Sequence, residues 1–184
     1  MYDDYVKLQI EGLTRGRELN DAYILVLHKE NDTKLFPVLI DRRGYSMVMT
    51  ALKTRRYTCS HLMNKLASRM GMTMLGVRLM QPMNGHTKAL IDFELVNEIV
   101  SISVSASEAV VAALETNSDL WIKRDLFEKQ TAQQSTNGNM ALPIIAMSNE
   151  LLEQAMQSAV ADDNFELASV LRDELNKRLP HDAN

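Results

Sequence analysis

The chain has 184 residues, 46% of them hydrophobic, and a net charge of −4. That is enough for one domain with its own core plus a small appendage, and no apolar run approaches the ~20 residues of a membrane-spanning helix. The single cysteine, Cys59, excludes an internal disulfide and suits a reducing, cytoplasmic setting.

The N-terminus is acidic at once and alternates polar with apolar residues, unlike a secretory leader. Tyr5 to Leu13 reads as a half-buried strand, Ala22 to His28 as a more continuously apolar one, and Lys34 to Ile40 as a third. Asn20-Asp21 and Asn31-Asp32 mark the turns between them. Asp41 is placed to cap a helix running to about Lys53, and residues 54–57 form a short extended connection. A second helix starts near Ser60 and ends at Gly71, a C′ glycine. Three strands follow, Met72 to Met80, Thr87 to Leu95 and Glu98 to Val104, the first two joined by a turn from Pro82 to Gly85. Ser105 and Glu108 make a Ser-x-x-Glu box that opens a third helix ending near Asn117. Leu120 to Lys123 is a short closing strand, followed by a charged helical turn. Hairpins dominate this order. The class is α+β: a mixed, largely antiparallel sheet with packed helices.

Thr131 to Pro143 has linker composition. Beyond it, Leu152, Ala155, Met156, Ala159 and Val160 recur at helical spacing, and Phe165, Ala168, Leu171, Leu175 and Leu179 resume the pattern after Asp162-Asp163-Asn164. Asp163 is placed to cap the second of these helices, with Glu166 three residues later. An α-helical hairpin of this size buries too little apolar surface to stand alone, so it needs a partner surface. The organisation is a domain over 1–130, a linker over 131–147 and a helical hairpin over 148–179.

Charge is unevenly spread. Residues 131–184 hold three basic and eight acidic side chains, whereas residues 1–130 hold seventeen and sixteen. From Arg42 to Ile91 there is no Asp or Glu, yet the stretch carries Arg42, Arg43, Lys53, Arg55, Arg56, Lys65, Arg69, Arg78 and Lys88. A field of one sign attracts polyanions, nucleic acid above all. The same cations can also scatter over several faces or pair with acids from elsewhere in the chain. The twelve methionines read as pliable core filler.

Phosphodiester hydrolysis needs an activated water and charge stabilisation on the phosphate. His61 is the best base on offer, because imidazole exchanges protons near neutral pH. A surface histidine behind a Ser cap reads the same way. The helix starts near Asp41, Ser60 and Ser105 offer free backbone N–H groups to phosphate. Asp92 and Glu94, two apart on a strand, share a face and could hold Mg²⁺; the simpler reading is a solvated strand face with Ile91, Phe93 and Leu95 inward. Cys59 reads as a packed small residue. There is no Walker loop, no Gly-rich dinucleotide turn and no zinc spacing.

Asn164-Phe165-Glu166-Leu167-Ala168-Ser169-Val170-Leu171-Arg172-Asp173 closely resembles the UVR motif. This is the interaction hairpin of the UvrB and UvrC repair proteins and of some protease-associated proteins. The resemblance implies a protein partner docking on Phe165, Ala168, Leu171, Arg172 and Leu175, and the hairpin's apolar stripe can also pair with its own copy. The first 130 residues resemble the bifunctional nuclease (DNase/RNase) family. Pro37-Val38-Leu39-Ile40 is similar to its Pro-Ile-x-Ile strand, Cys59-Ser60-His61-Leu62-Met63 to its Thr-His-Asp-Leu-Leu segment, and Ser107 to Leu114 to its Ser-Asp-Ala helix start. Some members carry a UVR hairpin behind that domain.

The resemblance implies a nuclease that cuts DNA and RNA without sequence preference, helped by Mg²⁺ or Mn²⁺. Ser60, His61 and Glu108 are its catalytic candidates, and Arg42, Arg43, Lys53, Arg55, Arg56, Lys65 and Arg69 its nucleic-acid contacts. Several polar marks of the family are replaced. Asp41, Gly44 and Tyr45 stand where it shows Gly and then Glu-Ala, Ser60-His61 replaces His-Asp, and Ser103-Val104-Ser105-Ala106 replaces Asp-x-Arg-Pro. The alternative is therefore a nuclease-like domain without catalysis that docks on a protein through its hairpin.

Overall fold

The computed structural model describes residues 2–15, 23–54, 59–96, 98–130 and 143–178. The elements run β1 (Tyr5–Arg15), β2 (Tyr23–Lys29), β3 (Leu35–Ile40), α1 (Arg42–Thr54), α2 (Cys59–Arg69), β4 (Met72–Leu79), β5 (Lys88–Leu95), β6 (Glu98–Ser105), α3 (Ala106–Thr116), β7 (Asp119–Lys123) and α4 (Arg124–Gln130). A 3-10 turn (Ile144–Ala146), α5 (Asn149–Ala161) and α6 (Phe165–Arg178) complete them. The fold is α+β, as the hairpin-rich order predicts.

The seven strands form one sheet in the order β3-β2-β1-β7-β4-β5-β6. Every neighbouring pair is antiparallel except β4 and β7. Alternation decides the two faces. Leu25, Leu27, Phe36, Val38, Val77, Leu79, Ile91 and Ile122 point to the helices and form the main core with Val48 and Ala51 of α1. On the other face, Ile24 and Val26 are buried beneath Met147, which follows the 3-10 turn. Cover on both sides explains why β2 reads as an unbroken apolar run.

Helix α3 is the hub. Ala106, Ala109, Val110, Val111, Ala112 and Ala113 are all buried, and a helix apolar all round belongs inside. It touches α1, α2 and both edge strands, β3 and β6, so the sheet curves about it. The predicted capping box is present: Ser105 Oγ accepts from Glu108 N, and Glu108 Oε2 accepts from Ser105 N. Asn117 ends the helix in the left-handed region at φ 54°. Gly71, at φ 77°, follows α2 as expected.

In the hairpin, Leu152, Ala159, Ala168 and Leu171 pack together with Leu175 at their margin. Arg178 ties the end of α6 to the hairpin's base, its Nη1 donating to Met147 O at 2.6 Å and its Nη2 to Ile144 O at 3.1 Å. Three expectations are corrected here. The cap of α6 is Asn164, whose Oδ1 accepts from Leu167 N at 3.2 Å; Asp163 sits one residue too early, in the left-handed turn at φ 54°. Ala168 and Leu171 hold the two helices together, so they are not free to meet a partner. Cys59 is exposed rather than packed, because α2 turns that face outward.

Candidate functional site

A cleft of about 490 Å³ opens where α1 and α3 begin. The close approach depends on Gly44, at which a Cβ would stand 2.7 Å from Ser107 Oγ. Asp41 caps α1, its Oδ1 accepting from Gly44 N at 2.6 Å. Across the gap, Ser105, Ser107 and Glu108 come from the start of α3, Ser103 and Val104 from β6, and His86, Thr87 and Lys88 from the turn into β5. Leu39 and Ile40 close the side formed by β3. Two helix N-termini, and with them two positive dipole ends, thus face one space.

The charges in the cleft are mixed. Arg43 and Lys88 supply cations, Asp41 and Glu108 carboxylates, and His86 an imidazole. Glu108 is held below the usual carboxyl range, first by the Ser105 hydroxyl and backbone N–H, then by the nearby Arg43 guanidinium. Each carboxylate spends one oxygen on its cap, Oδ1 of Asp41 and Oε2 of Glu108.

The bifunctional nuclease domain profile matches residues 25–135, more than half of the chain. The chain belongs to the bifunctional nuclease domain family. A second match, to the UvrB/uvrC motif, covers residues 150–177 in the order the sequence reading expected. Comparison with curated proteins gave no match. Two of the three segments by which the chain resembles the family, the end of β3 and the start of α3, meet at this cleft.

The third segment does not line it. Ser60 and His61 lie on α2, which packs on α3 and β4. Of the catalytic candidates, Glu108 alone lines the cleft. Among the nucleic-acid candidates Arg43 lines it, while Arg42 and Lys53 border a shallow depression with Tyr23 and Tyr45. Lys65 and Arg69 are on α2, and Arg55 and Arg56 lie outside the described residues. Arg78 is on the other face of the sheet, so the cationic run is split rather than gathered.

Asp92 and Glu94 do not make a metal site. Asp92 is fully buried and bonded by Arg78, Ser101 and Tyr2, while Glu94 is exposed, and among the described residues no three metal-ligating side chains cluster. The solvated-face reading of this strand fails at the same residue. His86 escaped the sequence reading, because a histidine behind a hairpin turn matches no local motif. Only the fold brings it to the cleft that Arg43 also lines.

Among the described residues, no helix is long and apolar enough to cross a membrane.

Proposed function

We propose that the α1–α3 cleft receives the phosphate backbone of nucleic acid, and that this chain is a nuclease acting on DNA and RNA. The observation that carries this reading is the meeting of Arg43, Lys88, His86, Asp41 and Glu108 at two helix N-termini, in a domain of the bifunctional nuclease family. Arg43 and Lys88 offset phosphate charge. His86 takes the proton of the attacking water, replacing His61 in that role.

A divalent ion here would rest on two carboxylates, since among the described residues no three metal-ligating side chains cluster. Mg²⁺ and Mn²⁺ bind through one or two carboxylates plus substrate phosphate, and Asp41 and Glu108 each keep one oxygen clear of their caps. Bound there, the ion would polarise the phosphoryl oxygen. The α5–α6 hairpin is a protein-docking element, in keeping with its match to the UvrB/uvrC motif. A cytoplasmic location suits the single exposed cysteine.

A second reading has its own support. Both carboxylates already serve as helix caps, and a domain that only binds nucleic acid needs no more than the cations. One experiment separates the two. Purified full-length protein is incubated with single- and double-stranded DNA and RNA, with Mg²⁺, Mn²⁺ or EDTA. The nuclease reading expects cutting that EDTA abolishes and that His86→Ala slows by about 10²-fold. Salt-sensitive binding without cutting, lost in Arg43→Ala/Lys88→Ala, supports the binding module. Cutting that survives both variants unchanged places the site elsewhere.

A further inference from the structure

Helix α2 is inside out. Leu62, Met63, Leu66 and Met70 expose 60, 63, 50 and 73% of their surface. Their spacing puts them on a single stripe of the helix. None of the helix's residues is buried, and Ala67 is its contact with the core. Lys65 and Arg69, one turn apart, border the stripe. An apolar row of this kind, rimmed by cations, marks a docking surface.

The same chain carries a surface of matching chemistry. At the tip of the α5–α6 hairpin, Val160 and Phe165 are 50 and 64% exposed. They bracket the turn Asp162-Asp163-Asn164, and Glu166 follows. This tip is apolar and acidic where α2 is apolar and basic. The hairpin's base is seated on its own domain: a Cβ on Gly85 would come within 2.3 Å of Ser148, and Met147 lies on β2 and β3. With the base so seated, both the tip and the α2 stripe stand exposed.

We propose that α2 of one copy receives the hairpin tip of a second copy. Val160 and Phe165 lie against the Leu62–Met70 stripe, and Lys65 and Arg69 stand opposite Asp162, Asp163 and Glu166. Pairing of α2 with its own copy is disfavoured, since it would bring the same two cations together. The inference rests on reading the hairpin as a protein-docking element, and not on the nuclease reading.

The test is the mass of the full chain in solution, followed by sedimentation at rising concentration. Wild type is expected to form a concentration-dependent dimer. Leu66→Glu and Phe165→Glu each weaken it by about tenfold or more. Both positions are exposed, so circular dichroism melts should stay near wild type; Met63→Ser replaces Leu66→Glu if that variant melts early. The decisive arm mixes the two broken variants. The intact tip of one then meets the intact α2 of the other, and association returns. Lys65→Glu/Arg69→Glu should dissociate the dimer, and mixing with Asp162→Lys/Glu166→Lys should restore it.

Four outcomes overturn the proposal. The first is a wild type that stays monomeric at high micromolar concentration. The second is a dimer indifferent to these variants, or one that mixing fails to rebuild. The third is a monomer that floats with phosphatidylserine vesicles in a Leu66-dependent way, which would assign the stripe to a membrane surface. A monomer whose hairpin still captures another protein would sink the self-pairing while leaving the docking role intact.

Discussion

Arg78 and Asp92 close on each other across β4 and β5 through two parallel bonds, Nε to Oδ2 at 2.6 Å and Nη2 to Oδ1 at 2.7 Å. They are diagonal rather than opposite: Arg78 pairs with Leu90, and Asp92 with Gly76. Ser101 of β6 donates to Oδ1 at 2.6 Å, and Tyr2, stacked on Trp121, donates to Oδ2 at 3.1 Å. The carboxylate is thereby fully satisfied, as a buried charge must be. Arg78→Met strands that charge inside, and is expected to cost about 3 kcal/mol in a urea titration. A loss near zero would mean that the sheet holds without the pair.

The same cluster contributes to both ends of the pH profile. Burial pushes the Asp92 carboxyl up, but the Arg78, Ser101 and Tyr2 bonds outweigh it and hold the group below its ordinary value of 3.8. A depressed carboxyl stabilises the fold above its unfolded value, and that stability is lost as pH falls through the folded one. Tyr2 goes the other way, raised from 10.0 to about 12 by burial and then by the Asp92 charge. Its contribution is full below pH 10 and lost as pH climbs towards 12. Melting temperature should therefore fall at both extremes. Asp92→Asn should flatten the acid limb and Tyr2→Phe the alkaline one. Unchanged limbs in these variants would assign the pH dependence to other groups.

Gly85 has two reasons to be glycine. Its φ is 75°, and a Cβ would run into the Ser148 backbone. Gly85→Ala should unseat the start of α5 and cost about 1 kcal/mol or more. Hydrogen exchange reads this directly, with protection lost at Ser148 to Leu152 while β1 and β2 stay protected. Uniform loss across the chain would mean that the hairpin and the sheet unfold together.

Arg178 closes the hairpin from below with its bonds to Met147 and Ile144 carbonyls. Bonds from a charged donor contribute about 1.5–3 kcal/mol. Arg178→Met should loosen α6 by about that amount, seen as early local opening in a denaturant series. Lys at this position, which cannot fork between carbonyls, should rescue only part of it.

Much of the fold is legible in the chain because its signals are local. The strand ends expected at Met80 and Thr87 fall one residue away, at Leu79 and Lys88, the Ser105–Glu108 box opens α3 at Ala106, and Gly71 follows α2 two residues after Arg69. What was lost is long-range. Counting outward from Pro82 and Gly85 would set Leu79 opposite Lys88, whereas Leu79 pairs with Ala89 and Gly76 with Asp92, so the turn does not reveal the Arg78 diagonal. Nor does it reveal the gathering of His86, Lys88 and Arg43, which depends on the sheet curving until β3 and β6 reach the same helix. The exposure of the α2 stripe was out of reach for a different reason. Its periodicity is that of a core helix, and periodicity does not say which side faces water.

The first turn of α3 has two employments. Ser105, Ser107 and Glu108 wall the cleft, while Ala106 and Ala109 beside them begin the most enclosed helix of the molecule. A library randomised over 105–109 would thus lose its folded members before it explored new substrates.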